Sequence, residues 1–239
     1  MKKVAILTAF AFAGIAANAQ KEGTDNGRNL YVIGGVNFAN ITKDAQGTTD
    51  ENKYRTSFNA GILTRFGVSN VFDFETGLLL NGKGSKYNVY MDNNNRNDNY
   101  VKSSFNTYYL ELPVNAVVKL PTGSSNVFLH AGPYAAAGLW GKNKTETKIL
   151  GVTTTTSNDI KFNNENPVTG NNGSPALDKL KRFDYGFNFG GGFTVSNVLI
   201  RANYGLGLAK INSTQTNNSQ DKANKNRVWS LSVGIPLGM

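Results

Sequence analysis

The chain has 239 residues, with no cysteine, one histidine, and 25 basic against 16 acidic residues. Disulfide staples and thiolate metal sites are therefore excluded, and the chain is moderately basic. Lys and Arg are scattered through Asn-rich segments rather than grouped on one motif, which argues against nucleic acid and for an anionic surface such as lipopolysaccharide.

In chain order, Met1-Lys2-Lys3, the apolar run of residues 4–17 and Ala17-Asn18-Ala19 before Gln20 have the basic, apolar and small-residue regions of a secretory signal peptide. Residues 1–19 are read as that signal. The alternative is a membrane anchor, but the run is too short to span and ends in the cleavage motif. Setting Lys2 and Lys3 aside leaves 23 basic against 16 acidic residues, a net of +7. Residues 20–28 read as a short periplasmic leader and 29–239 as one barrel domain. An exported chain without disulfides needs another source of stability, and a closed ladder of strands supplies it.

After the signal no apolar run reaches the roughly 18 residues of a membrane helix. The mean hydropathy of −0.35 does not oppose a membrane barrel, because half of each strand faces a polar lumen. Eight segments alternate with a two-residue period. The first, 29–41, puts Leu30, Val32, Val36 and Phe38 on one face. The second, 54–66, sets Phe58, Ala60 and Ile62 against Ser57, Asn59 and Arg65; the third, 71–83, sets Phe72, Phe74 and Leu78 against Asp73 and Glu75. The fourth and fifth form the hairpin of residues 108–140. Here Leu110, Leu112, Val114 and Val118 oppose Tyr109, Glu111, Asn115 and Lys119, and Val127, Leu129, Ala135 and Leu139 oppose His130, Gly132 and Tyr134. The sixth, 183–195, has a largely aromatic row (Phe183, Tyr185, Phe187, Phe189, Phe193) opposite Asp184, Asn188 and small residues. The seventh, 198–210, opposes Ile200, Tyr204 and Leu206 to Arg201 and Asn203; the eighth, 228–239, opposes Trp229, Leu231 and Val233 to Ser230 and Ser232.

Within these segments Arg65, Asp73, Glu75, Glu111, Lys119, Asp184 and Arg201 all fall in the row opposite the apolar one. Lys210 is the exception, at a strand end where its side chain can snorkel. A soluble sandwich also alternates, so the connections decide. Short turns at 67–70, 121–126 and 196–197 alternate with long polar segments at 42–53, 84–104, 141–182 and 212–227. The expected fold is all-β: an eight-stranded antiparallel up-and-down transmembrane β-barrel of the outer membrane, with short periplasmic turns and long extracellular loops. Tyr54, Phe58, Tyr87, Tyr108, Phe183, Tyr185 and Trp229 are expected at its outer rim. The segment 141–182 reads as a mobile surface loop.

The run Tyr109-Leu110-Glu111-Leu112-Pro113, with the Gly-rich strand carrying Gly132 and Tyr134, resembles the PorT-like outer-membrane β-barrel family of Gram-negative bacteria. The resemblance covers nearly the whole chain after the signal in pattern and this hairpin in motif. It implies an eight-stranded outer-membrane barrel, in a family mostly without assigned activity. The protein that names the family is linked to export of secreted proteins, a role that a shared scaffold does not transfer. One departure is the C-terminus: outer-membrane barrels commonly end in an aromatic residue, whereas this chain ends Ile235-Pro236-Leu237-Gly238-Met239.

Five of the charges, Arg65, Asp73, Glu75, Lys119 and Arg201, are expected in the periplasmic half of the lumen. One reading is a network that plugs the pore, since eight strands leave an interior just wide enough for side chains to fill. The other is a set of separate, hydrated charges. His130 reads as a lumen histidine without catalytic work, because no serine flanks it in its row. One His without Cys makes a transition-metal site a poor reading, and no cofactor is expected. Gly190-Gly191-Gly192 follows no phosphate-binding pattern and marks close packing. Pro113 and Pro133 interrupt two staves at one height, and a bulge or local opening is expected there. The functional expectation is a non-enzymatic outer-membrane barrel in surface structure, adhesion or assembly with an envelope protein partner, bordered by outer-membrane lipid and lipopolysaccharide. The alternatives are a narrow porin-like channel, a component linked to protein export, or a lipid-modifying enzyme.

Overall fold

The computed structural model describes residues 28–42, 54–91, 99–122, 125–162, 179–195, 197–211 and 224–237. The signal peptide, all but the last residue of the leader, most of the connections 42–53 and 212–227, and the terminal Gly238-Met239 lie outside the described residues.

The described strands are β1 (Arg28–Ile41), β2 (Arg55–Gly67), β3 (Phe72–Tyr90), β4 (Tyr100–Thr122), β5 (Ser125–Ile149), β6 (Val152–Asp159), β7 (Lys161–Phe162), β8 (Lys179–Leu180), β9 (Phe183–Val195), β10 (Val198–Gly207) and β11 (Asn226–Pro236). Eight of them close a ring in the order β1-β2-β3-β4-β5-β9-β10-β11, with β11 pairing back onto β1. Every neighbouring pair in the ring is antiparallel. Closure leaves the ring without an edge, so backbone groups within the membrane are satisfied by ladder partners.

The alternation sorts side chains to the two faces as a strand requires. On β1, Val36 and Phe38 are exposed on the outer wall while Asn37, between them, is fully buried. The outer wall carries Phe58, Phe74, Leu129, Phe187, Leu231 and Ile235, all substantially exposed in the isolated chain and suited to lipid. Across the β5–β9 ladder, large inward residues meet glycines: Phe128 opposite Gly192, His130 opposite Gly190, Tyr134 opposite Gly186. A Cβ on Gly190 would lie 2.5 Å from the His130 ring, and one on Gly192 2.8 Å from Phe128. Gly190 and Gly192 thus make space for the lumen, while Gly191, on the outward row, stands opposite Leu129.

Three features depart from expectation and one, the second below, decides between the two outcomes expected at the prolines. First, the upper parts of the segments 84–104 and 141–182 are strand: β3 and β4 pair up to Tyr90–Tyr100, β4 and β5 up to Tyr100–Lys148, and β6 pairs with β5 from Lys142–Asp159 to Ile149–Val152. β3, β4, β5 and β6 therefore form a sheet projecting beyond the ring on one side. Second, Pro113 stands opposite Tyr134, and the register is unchanged from there to Ala116–Ala131. The rungs at Val114 and Asn115 are absent, and the β3–β4 ladder skips from Thr76–Val114 to Leu79–Glu111. The ladder opens without a bulge, and the freed Pro113 carbonyl accepts from the Thr76 hydroxyl at 2.8 Å. The register shift lies instead between Tyr108 and Tyr109, which face Trp140 and Gly138, so Leu139 is the extra residue. Third, Tyr87 pairs with Ser103 on the inner row of the projecting sheet, not in the girdle; Trp140 takes a girdle place, stacked on Tyr108 at 5.2 Å, with Phe58 on Tyr108's other neighbour distance of 5.2 Å. Fourth, Lys210 lies beyond the end of β10 at Gly207, so it is not a charge within a described strand of the wall.

Candidate functional site

The lumen is filled in layers by inward side chains from all eight ring strands. Near the end with the short turns, Glu75 is fully buried between two guanidinium groups: Arg65 Nε donates to its Oε2 at 2.8 Å, and Arg201 Nη1 to its Oε1 at 2.8 Å. The Asn115 amide donates to Oε1 at 2.9 Å, and the Arg65 guanidinium lies 3.9 Å from the Phe128 ring centroid. Arg201 also donates through Nη2 to His130 Nε2 at 2.8 Å. Both oxygens of Glu75 are thus satisfied, as a buried carboxylate requires, while among the described residues Arg65 Nη2 has no hydrogen-bond partner. Beside this cluster, Lys119 Nζ reaches Asp73 at 2.6 Å, with the lysine about one-quarter exposed. Tyr31, Ile33, Leu63, Val117, Phe128 and Leu199 pack an apolar layer around these charges.

A second cluster centres on Lys83, whose ammonium lies 2.9 Å from Glu111 and 3.0 Å from Asp184, all three side chains being buried. The Tyr134 hydroxyl and the Asn226 amide donate to Asp184 at 3.3 and 2.9 Å, and the Asn188 amide donates to Glu111 at 3.2 Å. The Tyr134 ring lies 4.3 Å from the Lys83 ammonium. Asn37, Asn59, Asn81 and Ser232 link strands between the clusters, with Asn59 donating to Asn37 at 2.6 Å and Ser232 to Asn59 at 2.9 Å. A cavity of about 20 Å³ remains in this middle layer, next to Glu111, Asn188 and Arg201, room for about one water.

Above Lys83 the mouth is closed by chain. Ile160 and Phe162, at the descent from β6, and Leu180, just before β9, are buried against Phe105, Tyr109, Tyr134 and Ile211. Phe162 meets the Tyr109 ring edge-on at 5.5 Å and occupies the space over Gly138, where a Cβ would lie 2.3 Å from its ring. The Arg182 guanidinium donates to the Phe162 carbonyl at 3.2 Å, and β7 and β8 pair in parallel across the mouth.

The seven charges singled out from sequence are thus distributed over three sets. Arg65, Glu75 and Arg201 form one; Asp73 and Lys119 another; Glu111 and Asp184 join through Lys83. Sequence reasoning missed Lys83 as their partner, although its parity with Asp73, Glu75 and Asn81 on β3 marks it as inward. Pro113 and Pro133 lie in the wall rather than in any of these sets, Pro113 bordering the middle cavity. Among the described residues, His130 Nε2 accepts from Arg201, lies 2.9 Å from Asn203 Oδ1, to which it then has no proton to donate, and meets no serine. With a guanidinium donating to Nε2, that lone pair is not available to accept a substrate proton.

A closed ring of antiparallel strands with an apolar outer wall and paired charges inside defines the class of integral outer-membrane β-barrels. Residues 18–213 match the model of the family described as outer membrane protein beta-barrel domain. The chain belongs to that family and resides in the outer membrane. It is similar to the crystal structure of Ail, the attachment invasion locus protein of Yersinia pestis, at 13% identity, covering 89% of this chain and 99% of that one, with a TM-score of 0.39. The structure of Ail in complex with the heparin analogue sucrose octasulfate is matched at 12% identity, 87% and 97% coverage and a TM-score of 0.37. Neisserial surface protein A is matched at 14% identity, 89% and 99% coverage and a TM-score of 0.37. No curated protein matches the chain.

Proposed function

We propose that this protein is a closed, non-enzymatic outer-membrane barrel that acts through its extracellular surface, in surface structure, adhesion or assembly with an envelope partner. On this reading it is exported by the signal peptide of residues 1–19, carries a leader of residues 20–28, and belongs to the PorT-like branch that the Tyr109–Pro113 motif resembles. Its lumen charges plug the pore rather than conduct. The observation that carries the reading is the continuous filling of the lumen, from the Glu75 cluster through the Lys83 cluster to the Phe162 and Leu180 cap. Among the described residues the column leaves room for about one water in its middle layer, too little for a hydrated ion, and the engaged His130 Nε2 offers no base for lipid hydrolysis.

Its immediate partners are outer-membrane lipid and lipopolysaccharide, with no nucleic acid and no cofactor. Purified full-length protein in planar bilayers is expected to give no ohmic steps. Regular steps of constant size would establish the narrow-channel alternative instead.

A further inference from the structure

We propose that the outward face of the projecting β3–β6 sheet docks the phosphate groups of the anionic glycolipid of the outer leaflet. The proposal deepens the lipid partnership above by naming the site and the chemistry it recognises. Its first support is segregation of charge. Above the Tyr108–Trp140 rung, the outward row carries Lys86 on β3, Lys102 on β4 and Lys142, Lys144 and Lys148 on β5, against Glu146 and Asp159. The inward row of the same sheet, from Ser85 and Tyr87 on β3 to Thr156 and Asn158 on β6, has no charged residue. A sheet that merely stood in water would gain from charge on both faces; one-sided charge indicates that the two faces meet different surroundings.

The second support is local density. Ser104 stands opposite Lys86 on one side and Lys144 on the other, which places those two Cα atoms about 10 Å apart across three strands. Lys102 is one outward position further along β4, and Arg55 Nη1 donates to Ser104 Oγ at 2.6 Å. Lys86 and Lys144 therefore flank one neutral serine that also accepts from Arg55, while the Lys102 ammonium lies 3.9 Å from the Tyr100 ring centroid. Of the two acids of the face, Glu146 stands opposite Lys102 and accepts from the Tyr100 hydroxyl at 2.8 Å, and Asp159 pairs with Lys142 at 3.9 Å, both of these largely exposed; five lysines against two acids thus leave the row with a net charge of +3. Among the described residues no carboxylate pairs with Lys86 or Lys144.

The third support is position. The patch continues the lipid-facing wall upward from Phe58, tilted against Tyr108, and Trp140, stacked on it, aromatic residues of the kind that sit at the membrane–water interface. Lys142 and Lys144 follow Trp140 by about 7 and 13 Å of strand, the zone in which phosphorylated head groups lie. Lysine near an anionic leaflet contributes to binding at each position, so several together make a retained lipid rather than a passing one.

The test uses the full-length protein purified in detergent, with bound lipid read by native mass spectrometry. The probes are a bisphosphorylated glycolipid, the same glycolipid after dephosphorylation, phosphatidylglycerol, and a soluble sulfated polysaccharide. The parent is expected to retain the bisphosphorylated glycolipid in preference to the other three. The combined variant Lys86→Gln, Lys102→Gln, Lys144→Gln is expected to bind it at least about tenfold more weakly, and the matching Lys→Arg variant to bind as the parent does. Heat-modifiable migration of all three proteins reports that the barrel is folded. Equal retention by the Gln variant, or a parent that prefers phosphatidylglycerol, the dephosphorylated lipid or the polysaccharide, overturns the proposal. Channel steps in bilayers would sink the closed-barrel reading and leave this one standing, so the two failures are distinguishable.

Discussion

The barrel wall and the sheet that rises from it are made of the same strands, yet they place charge on opposite faces. Within the ring, β3 and β4 direct Asp73, Glu75, Lys83, Glu111 and Lys119 inward, where most are buried in ion pairs. Beyond the ring, β3 and β4 direct Lys86 and Lys102 outward. The reversal follows from what borders each face. A charge on the outer wall would sit in hydrocarbon, at a cost of about 2–4 kcal/mol near the midplane, so the lumen takes it. Above the membrane the outer face meets water and head groups, while the inner face overhangs the apolar cap of Ile160, Phe162 and Leu180.

On β5 the change of face depends on one residue. Below Gly138 the even-numbered positions His130, Tyr134 and Ala136 point inward; above Leu139 the even-numbered Lys142 and Lys144 point outward, because the bulge adds one residue to β5 opposite Tyr108 and Tyr109. Leu139 and Trp140 consequently both face out, at 46% and 48% exposure. The strand keeps its alternation on each side of the bulge and exchanges its faces across it.

Deleting Asn106 from β4, which carries no extra residue against β3, is the most disruptive way to break this contrast. It forces β4 to exchange faces on one side of the deletion, turning either Lys102 inward or Tyr109 and Glu111 outward, and loss of the heat-modifiable folded form is expected. Deleting Leu139 instead removes only the extra residue of β5, leaves Gly138 opposite Tyr109 and Trp140 opposite Tyr108, and is expected to fold with every face kept; a folded Asn106 deletion beside an unfolded Leu139 deletion would show that the bulge does not mark the change of face.

Glu75→Gln tests the lumen side next. It leaves Arg65 and Arg201 buried without a counter-charge, and a stability loss of about 3–5 kcal/mol is expected from urea unfolding in lipid or detergent. A loss under about 1 kcal/mol would mean that these charges are independently hydrated, the reading in which no network exists. Lys119→Gln should have the smallest effect, about 0.5–1 kcal/mol by the same assay, because Lys119 is partly open to solvent at the periplasmic end. A cost as large as that of Glu75→Gln would join Asp73 and Lys119 to the central cluster.

Much of the wall was legible in the residues alone. The parity of Phe58 against Asn59, or of Phe187 against Asn188, is a local property of an extended chain, and each ring strand lies where alternation placed it. The site was legible only in part. Arg65, Glu75 and Arg201 were recognisable as inward charges, but their partners come from strands far apart in the chain: Lys83 and Asp184 are 101 residues apart, and nothing in either segment names the other. The projecting sheet was misread as loop because its Thr, Asn, Ser and Lys residues lack the apolar row by which a membrane strand declares itself. Of the bulge or local opening expected at Pro113 and Pro133, the ladder shows the opening, because a missing N–H removes rungs but adds no residue to either strand; the bulge at Leu139 has no such mark in the sequence.

By itself, then, the sequence determined an outer-membrane barrel of eight alternating strands, because a two-residue period, charges confined to one row and alternating connection lengths need no knowledge of neighbours. Only the tertiary structure decided which charges meet, where the faces exchange at Leu139, and that Phe162 and Leu180 close the mouth. Those outcomes depend on ring closure and cross-strand register, which bring distant residues together by geometry that no local pattern carries.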